Sequence, residues 1–429
     1  MYQAVSSGDL SRDRGKLLGS RISGISVGTT VLLLGTTSLL TDISSEMVST
    51  TLPLYLLVTL RFSPFQVGVM DGIYQGAAVL VGVISGLVAD RWRRPKQVAA
   101  IGYGLSAICK LGFLIVGGSW TAISGVIALD RIGKGIRTAP RDAMIAASSH
   151  PGQLATAFGV HRAMDTAGAM SGPLLAVVIL SAAPEAYDAI FVVSLCVALI
   201  GLAVIVLFVN NPIEGAVDRS EDSSTCVPSA NQTAISLRSI SALLGQAEFR
   251  TLIIAGSALA LVTVSDGLLY LTLQQRMTIP NGSFPLLYVV TALIFMIFAI
   301  PAGRLADRIG HKPVFILGYV LLAGAYGILL LPQMNSLMAV LMLILLGSYY
   351  AATDGVLMAW ASRVLPAHLR TTGLALLITG IGLARLLASS LYGTVWSWVG
   401  AERALMVFIG GLVAALLLAC RIVRRVEEN

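Results

Sequence analysis

Charged side chains are scarce in this chain of 429 residues. Asp, Glu, Lys and Arg make up 12% of the sequence, about half of their usual share of roughly 25% in soluble domains. Hydrophobic residues make up 56%, and the mean hydropathy is +0.84. So few charges cannot cover the surface of a soluble protein of this size. The composition therefore predicts an all-α membrane protein.

Cysteine and histidine are also rare, with four residues of each. The cysteines lie far apart and form no CxxC or Cys-His cluster, so neither a disulfide framework nor a metal site is predicted. The chain has no nucleotide-binding loop, no HExxH motif and no GxSxG motif placed for a catalytic nucleophile. The absence of these motifs argues against an ATP-driven pump and against an intramembrane enzyme. No cofactor is predicted.

Long apolar runs recur along the chain, and a membrane-spanning helix needs about 20 apolar residues. We predict twelve such helices, spans 1 to 12, at residues 27–58, 66–88, 97–117, 121–148, 153–180, 188–209, 250–273, 284–303, 313–332, 336–361, 371–397 and 401–421. A polar connection separates spans 6 and 7 and so divides the chain into halves. The predicted units are an N-terminal tail (1–24), a six-helix bundle (25–209), a linker (210–249), a second six-helix bundle (250–421) and a C-terminal tail (422–429).

Basic residues are concentrated in alternate loops. One set of loops includes the N-terminal tail and the stretches 91–96 and 304–312, whereas the other set has only Arg61, Arg276 and Arg403. Positively charged loops face the cytoplasm, so the tails and the linker are predicted to be cytoplasmic in a multi-pass cell-membrane protein. Because this pattern explains the +7 net charge, a nucleic-acid partner is not expected.

A loop that is repeated in the two halves reads GLVADRWRR at 86–94 and GRLADRIGHK at 303–312. Together with one motif in span 4 and one in span 5, this loop gives the chain a resemblance to the major facilitator superfamily (MFS) over nearly its whole length. Span 4 has Arg131-x-x-Lys134-Gly135 where the family has Arg-x-x-Gln-Gly. The span-5 motif resembles that of proton-coupled drug antiporters, and its residues are Gly159, Gly168, Gly172 and Pro173.

The resemblance implies the MFS fold, with 12 transmembrane helices in two pseudo-symmetric six-helix bundles. It also implies that the repeated loops act as latches between the halves in the outward-facing state. The first copy would bind the start of span 11, and the second copy would bind span 5. The latch residues implied in this way are Gly86, Asp90, Arg91, Gly303, Asp307 and Arg308.

Carboxyl groups inside the spans are the candidates for proton coupling, because a charge near the middle of a bilayer costs at least ~3 kcal/mol. Asp42 and Glu46 lie four residues apart in span 1 and so share one helical face. Asp165 lies one turn after His161 in span 5. Two close carboxyl groups suit a proton carrier, so we expect Asp42, Glu46 or Asp165 to carry the coupled proton.

Other charges in the spans are candidates for the substrate cavity. Arg131, Lys134 and Arg137 fall within roughly a 120° sector of span 4 and form a basic stripe. An Asp354–Arg385 or Asp266–Arg385 pair would gate the path or stabilise the fold. The full set of cavity candidates is Arg131, Lys134, Arg137, His161, Arg162, Asp266, Asp354 and Arg385.

We therefore predict a secondary active transporter that alternates access around a site near the middle of the membrane. The resemblance favours a monomer that exports small amphiphilic drugs or metabolites in exchange for protons, with the lipid bilayer as its surroundings. The basic stripe keeps open proton-coupled transport of a small organic anion in either direction. A membrane sensor or scaffold that does not transport is the alternative from another class of function.

Overall fold

The computed structural model describes residues 21–22, 25–26, 28–92, 94–149, 153–209, 243, 245–277, 279–366 and 370–427. Apart from one antiparallel pair of two-residue strands, Arg21–Ile22 with Ile25–Ser26, the regular elements of these residues are helices. Ten spans are long and apolar enough to cross a membrane. Together with the helices of spans 2 and 4, these ten make up the twelve predicted spans. Span 4 is the one that carries the basic stripe.

The helices follow the predicted spans closely. Those of the first half are Thr29–Leu54 with its π-helical extension Tyr55–Thr59, Pro64–Trp92, Pro95–Ile115, Trp120–Ala147, Leu154–Ala182 and Tyr187–Phe208. Those of the second half are Ala247–Leu261, Asp266–Met277, Phe284–Ile309, His311–Leu329, Ser336–Val364, Arg370–Val399 and Ala401–Glu427.

Several helices continue beyond the apolar runs. Span 8 ends at Ile309 instead of residue 303, and span 12 ends at Glu427 instead of residue 421, so the predicted C-terminal tail is largely helical. Hydropathy marks only the hydrocarbon layer, whereas a helix can extend through the polar headgroup region on either side of it. Most of the predicted N-terminal tail and linker lies outside the described residues.

Span 7 is not one continuous helix, although its apolar run predicts one. It consists of two helices, Ala247–Leu261 and Asp266–Met277, which are separated by residues 262–265. At the break the backbone N–H of Val264 donates a hydrogen bond to the hydroxyl of Tyr326 at 2.7 Å. A side chain thus satisfies a backbone group that the helix no longer serves, as non-helical backbone inside a membrane requires. Discontinuous helices of this kind mark binding sites in transporters.

Two pairs of helices hold the halves together. Span 2 packs along span 11, and span 5 packs along span 8. Span 8 occupies in the second half the place of span 2 in the first, and span 11 occupies the place of span 5. The two pairs are therefore related by the internal repeat, as expected for pseudo-symmetric bundles.

The halves touch most closely at the predicted extracellular ends of spans 2 and 11. A Cβ atom on Gly68 would lie 2.5 Å from the carbonyl oxygen of Ser389 and 2.8 Å from the Cα atom of Gly393. The backbone N–H of Phe65 donates a hydrogen bond to the Oγ atom of Ser397 at 2.8 Å. The absence of side chains on these glycines allows the two backbones to pack directly against each other.

The glycine motif of span 5 also brings two backbones together. A Cβ atom on Gly172 would lie 2.7 Å from the carbonyl oxygen of Ile43 and 2.9 Å from the Cβ atom of Glu46. Gly168 lies similarly against the backbone of Leu39. At Gly159 nothing lies within 4 Å of an added Cβ atom. The second and third glycines of this motif therefore allow a close backbone approach, whereas the first does not take part in one.

We expect Gly172→Ala to lower the free energy of unfolding by about 1–3 kcal/mol. The added methyl group has to push spans 1 and 5 apart, because its nearest neighbours are backbone atoms. Gly159→Ala is the matched control and should stabilise the helix by about 0.5–1 kcal/mol, since alanine is the better helix former. Thermal unfolding of both purified variants in one detergent provides the comparison. Equal midpoints would contradict the close packing at Gly172.

Candidate functional site

A cavity of about 380 Å³, the central cavity, lies between the two halves. Spans 1, 2, 4, 7 and 8 supply its walls. Four predicted site residues share it with Asp71 of span 2, which was not among the predicted residues. The ionisable residues that line the cavity are Glu46, Asp71, Tyr74, Arg131, Lys134, Asp266 and Tyr288.

The three carboxyl groups of the central cavity have different surroundings. Glu46 Oε2 accepts a hydrogen bond from the Oγ atom of Ser49 at 2.6 Å, and Asp266 Oδ1 accepts one from the hydroxyl of Tyr350 at 2.7 Å. The Oδ2 atom of Asp71 is buried, and no hydrogen bond reaches it from the described residues. Within the described chain no lysine or arginine forms an ion pair with any of the three carboxyl groups at 4.0 Å or less.

Arg131 is held by a buried ion triad, which we define as Lys110, Asp130 and Arg131. The Nζ atom of Lys110 lies 2.6 Å from Asp130 Oδ1, and Arg131 pairs with the other oxygen of the same carboxylate. The guanidinium also stacks over the ring of Tyr74, 4.0 Å from its centroid. Lys110 is only 1% exposed. The triad fixes the arginine of the span-4 motif at the wall of the cavity.

A second cluster lies between spans 1, 4 and 5. The carboxyl groups of Asp42 and Asp165 lie close enough to share a hydrogen bond, and we call them the acid pair. Arg137 Nη2 lies 3.9 Å from Asp42, and Arg141 Nη1 lies 3.8 Å from Asp165. Two carboxyl groups can share a hydrogen bond only when one of them is protonated. The structure thus pairs Asp42 with Asp165, not with Glu46 as the helical spacing predicts.

His161 and Arg162 lie beside the acid pair and are not among the residues that line the central cavity. The Nε2 atom of His161 lies 3.0 Å from the Oγ atom of Ser38, which also accepts a hydrogen bond from Arg141 at 3.3 Å. The side chain of Arg162 is 79% exposed and lies 3.6 Å from Asp165. Their prediction as cavity residues is therefore not supported by the geometry.

Two of the three cations in the predicted basic stripe have carboxylate partners. Arg131 pairs with Asp130, and Arg137 pairs with Asp42. Lys134 lines the central cavity and also acts electrostatically on both members of the acid pair. Lys134 therefore connects the acid pair with the central cavity.

In the second half, the structure contains the first of the two predicted ion pairs. Arg385 Nη2 lies 4.0 Å from Asp354 Oδ1, and both side chains are partly exposed. Asp266 is instead bound by the hydroxyl of Tyr350. Neither Asp354 nor Arg385 lines the central cavity.

Among the described residues, the ion-pair partners found for Asp307 of the second loop copy lie in the second half and not in span 5. Asp307 lies 3.6 Å from Arg363 and 3.9 Å from His311, all within the second half, and its side chain is 69% exposed. Gly303 has no atom within 4 Å of an added Cβ position. The side chains of the first copy, including Gly86, Asp90 and Arg91, lie outside the described part of the chain.

Sequence comparison connects this architecture with a known family. The sequence model of the Major Facilitator Superfamily matches residues 32–389 and 267–429. The chain belongs to this superfamily. It is therefore a multi-pass membrane transporter for a small molecule and not an enzyme, as the sequence predicts.

The relatives of this MFS transporter include proteins of archaea and bacteria. It is 30% identical over 395 residues to the uncharacterized MFS-type transporter MJ1317 of Methanocaldococcus jannaschii, covering 90% of this chain and 92% of the relative. It is 32% identical over 182 residues to the uncharacterized protein Rv2265 of Mycobacterium tuberculosis, covering 42% and 43% of the two chains.

Solved transporter structures share the fold. The nucleoside transporter NupG superposes with a TM-score of 0.74 at 17% identity, covering 92% of this chain and 99% of NupG. The peptide transporter POT in complex with sulfate gives 0.74 at 15% identity, covering 97% of this chain and 98% of POT. At these identities the likeness concerns the fold alone.

Proposed function

We propose that this MFS transporter is a proton-coupled antiporter that exports small amphiphilic molecules carrying a positive charge. The central cavity is the observation that carries the proposal, because Glu46, Asp71 and Asp266 place three carboxyl groups in it without an ion-pair partner among the described residues. A buried charge needs a counter-charge, and a cationic substrate supplies one. The ring of Tyr288 offers the apolar and cation–π contacts that such a substrate needs.

Lys134 provides the link between the proton and the substrate. When the acid pair loses its proton, its negative charge attracts Lys134 away from the cavity carboxyl groups, which then favour a cation. When the acid pair is protonated, Lys134 turns to the cavity and displaces the cation. Proton and substrate thereby bind in alternation, which is the condition for antiport. The two halves rock along the span 2–11 and span 5–8 contacts to expose the cavity to each side in turn.

A small organic anion is the second candidate substrate, since Arg131 and Lys134 also line the cavity. The partnering of Arg131 and Arg137 by carboxylates disfavours it, because Lys134 is then the cavity-lining cation that pairs with no carboxylate of the described residues within 4.0 Å. NupG and POT are described as nucleoside and peptide transporters, and small polar cargoes of that size suit a cavity of about 380 Å³.

Transport in proteoliposomes with an imposed pH gradient tests the proposal. We expect the cationic dye ethidium to move against its gradient when protons flow the other way, and the anion carboxyfluorescein to stay where it is. Movement of carboxyfluorescein alone would establish the anion candidate instead. If neither probe responds to the pH gradient, proton-coupled export of cations is rejected, and the sensor alternative gains support.

Glu46→Gln is expected to weaken ethidium binding by about tenfold or more, because a charge-assisted contact contributes about 1.5–3 kcal/mol. The glutamine keeps an oxygen for the hydrogen bond from Ser49, so the packing is preserved. Fluorescence titration of the purified protein measures the change. Glu185→Gln, at an exposed loop position, is the control and should bind like the wild type. Equal affinities in all three proteins would remove Glu46 from the substrate site.

A further inference from the structure

We propose that Asp71 is a second proton-binding site, separate from the acid pair, and that its proton keeps spans 2 and 11 closed on the predicted extracellular side. This inference rests on the proposed proton coupling, but it can be tested without transport. It assigns a role to an acid that neither the helix motifs nor the acid pair accounts for.

Asp71 lies within the closest contact between the two halves. A Cβ atom on the next residue, Gly72, would lie 2.6 Å from the carbonyl oxygen of Leu386 and 2.9 Å from the Oγ atom of Ser390. One turn further on, a Cβ atom on Gly76 would lie 2.6 Å from the Cδ1 atom of Leu386. Together with the contacts at Gly68, this packing leaves no room for water between the helices. We call the contact of residues 65–76 with residues 386–397 the outer gate.

The carboxyl group of Asp71 has the surroundings of a neutral acid. Its Oδ2 atom is buried without a hydrogen-bond donor among the described residues. The hydroxyl groups of Ser265 and Ser389 face it from the second half. Ser265 is only 9% exposed, and its Oγ atom also lacks a partner in the described chain. Two hydroxyl groups compensate an ionised carboxylate only poorly in this position, so burial favours the neutral form while the gate is closed.

The neighbouring charges do not favour ionisation of Asp71 in the closed gate. Asp266 and Glu46 are acids, and their negative charges would repel a second one nearby. Arg131 is held by Asp130, and Lys134 faces the acid pair. The titratable and charged groups around Asp71, on the elements that pack there, are Glu46, Arg131, Lys134, Asp266, Tyr288 and Arg385.

Proton binding at Asp71 and closure of the outer gate are therefore coupled. Loss of the proton leaves a charge on a carboxyl group whose buried Oδ2 atom has no donor among the described residues in the closed gate, and separation of spans 2 and 11 lets water reach that atom. The proton thus binds more tightly to Asp71 when the gate is closed than when it is open. The ratio of these two affinities is the factor by which the proton shifts the population towards the closed gate. In an exporter, a cationic substrate arriving from the cytoplasm would displace this proton and open the gate. A proton from outside would release the substrate and close it.

Spin-label distances across the outer gate test the proposal on the full-length protein. Cysteines replace Ser63 and Trp398 for labelling, in a chain whose four native cysteines are changed to alanine. In otherwise unsubstituted protein we expect a short separation at pH 5 and a growing population of longer separations as the pH rises to 9. Asp71→Asn should show the short separation at every pH. Asp188→Asn, at an exposed site in span 6, is the control and should respond to pH like the parent protein.

Two further variants test the same coupling if Asp71→Asn does not fold. Ser389→Ala removes a hydroxyl that stabilises the ionised form, so the midpoint of gate opening should move up by about 1 pH unit. Gly72→Ala should hold the gate open at every pH, because its methyl group meets the carbonyl of Leu386. An unchanged midpoint in Ser389→Ala would overturn the proposal.

The spin-label measurement and the transport assay test the two proposals independently, so either proposal can fail without the other. If Asp71→Asn opens with pH like the parent protein, or the parent does not respond to pH, Asp71 is not the second proton site, whatever the flux assay shows. If the gate responds as expected but the pH gradient drives no flux, the assignment of Asp71 stands and the proposed proton-coupled export fails.

Discussion

Replacing Asp42 by asparagine is expected to abolish proton-driven accumulation of substrate while leaving exchange without a gradient intact. Asparagine keeps the shape of the side chain and a hydrogen bond to Asp165, but it cannot take up and release a proton. One proton moving through 100 mV supplies about 2.3 kcal/mol, which corresponds to roughly 50-fold accumulation of substrate. We expect inside-out vesicles that contain Asp42→Asn to lose this factor when ethidium uptake is followed under a proton gradient.

Asp142→Asn is the matched control for the acid pair. Asp142 lies 2.9 Å from Arg141, the same arginine that lies beside Asp165, but its side chain is 43% exposed, compared with 20% for Asp165. Water compensates an exposed charge, so this substitution should leave accumulation within about twofold of the wild type. Asp165→Asn should match Asp42→Asn, because in the proposed mechanism the two carboxyl groups bind one proton together. Full accumulation in Asp42→Asn would show that the acid pair does not couple transport.

The fold could be predicted from the sequence because the membrane constrains it strongly. Every spanning segment has to be a helix of about 20 apolar residues, and the repeated loops at 86–94 and 303–312 identify the two halves. Even so, the break in span 7 was missed. Residues 262–265 read Val-Thr-Val-Ser and contain neither glycine nor proline. The interruption depends on a partner in span 9, the hydroxyl of Tyr326, which no local pattern indicates.

The candidate site was predicted only in part, because its contacts join distant helices. Asp42 and Glu46 share a helical face, yet Glu46 lines the central cavity and Asp42 pairs with Asp165. Gly172 of span 5 packs against span 1 beside Glu46, and helical periodicity contains no information on where that contact falls. Asp71, by contrast, could have been predicted from the sequence, since it is the lone charged residue of the predicted span at 66–88. A single acid in an apolar run already calls for a functional explanation.

The largest effect on stability is expected from Asp130→Asn, which should lower the free energy of unfolding by about 3–5 kcal/mol. The carboxylate of Asp130 is the shared partner of Lys110 and Arg131. Its removal leaves two cations side by side, both almost fully buried. Equilibrium unfolding of the purified protein in detergent, followed by circular dichroism, measures the loss. A change of less than about 1 kcal/mol, the usual range for exposed pairs, would show that water already compensates the triad.

Lys110→Met separates the contribution of the ion triad from a general loss of packing. In the wild-type background this substitution should destabilise the protein, because Asp130 loses one of its two partners. In the Asp130→Asn background the same substitution should stabilise it, because it removes one of two unpaired cations and replaces it with an apolar chain of similar length. A change of sign between backgrounds is a coupling that only interacting residues produce. If Lys110→Met costs the same in both backgrounds, the triad does not hold Arg131, and the reason for assigning the cavity to a cation is correspondingly weaker.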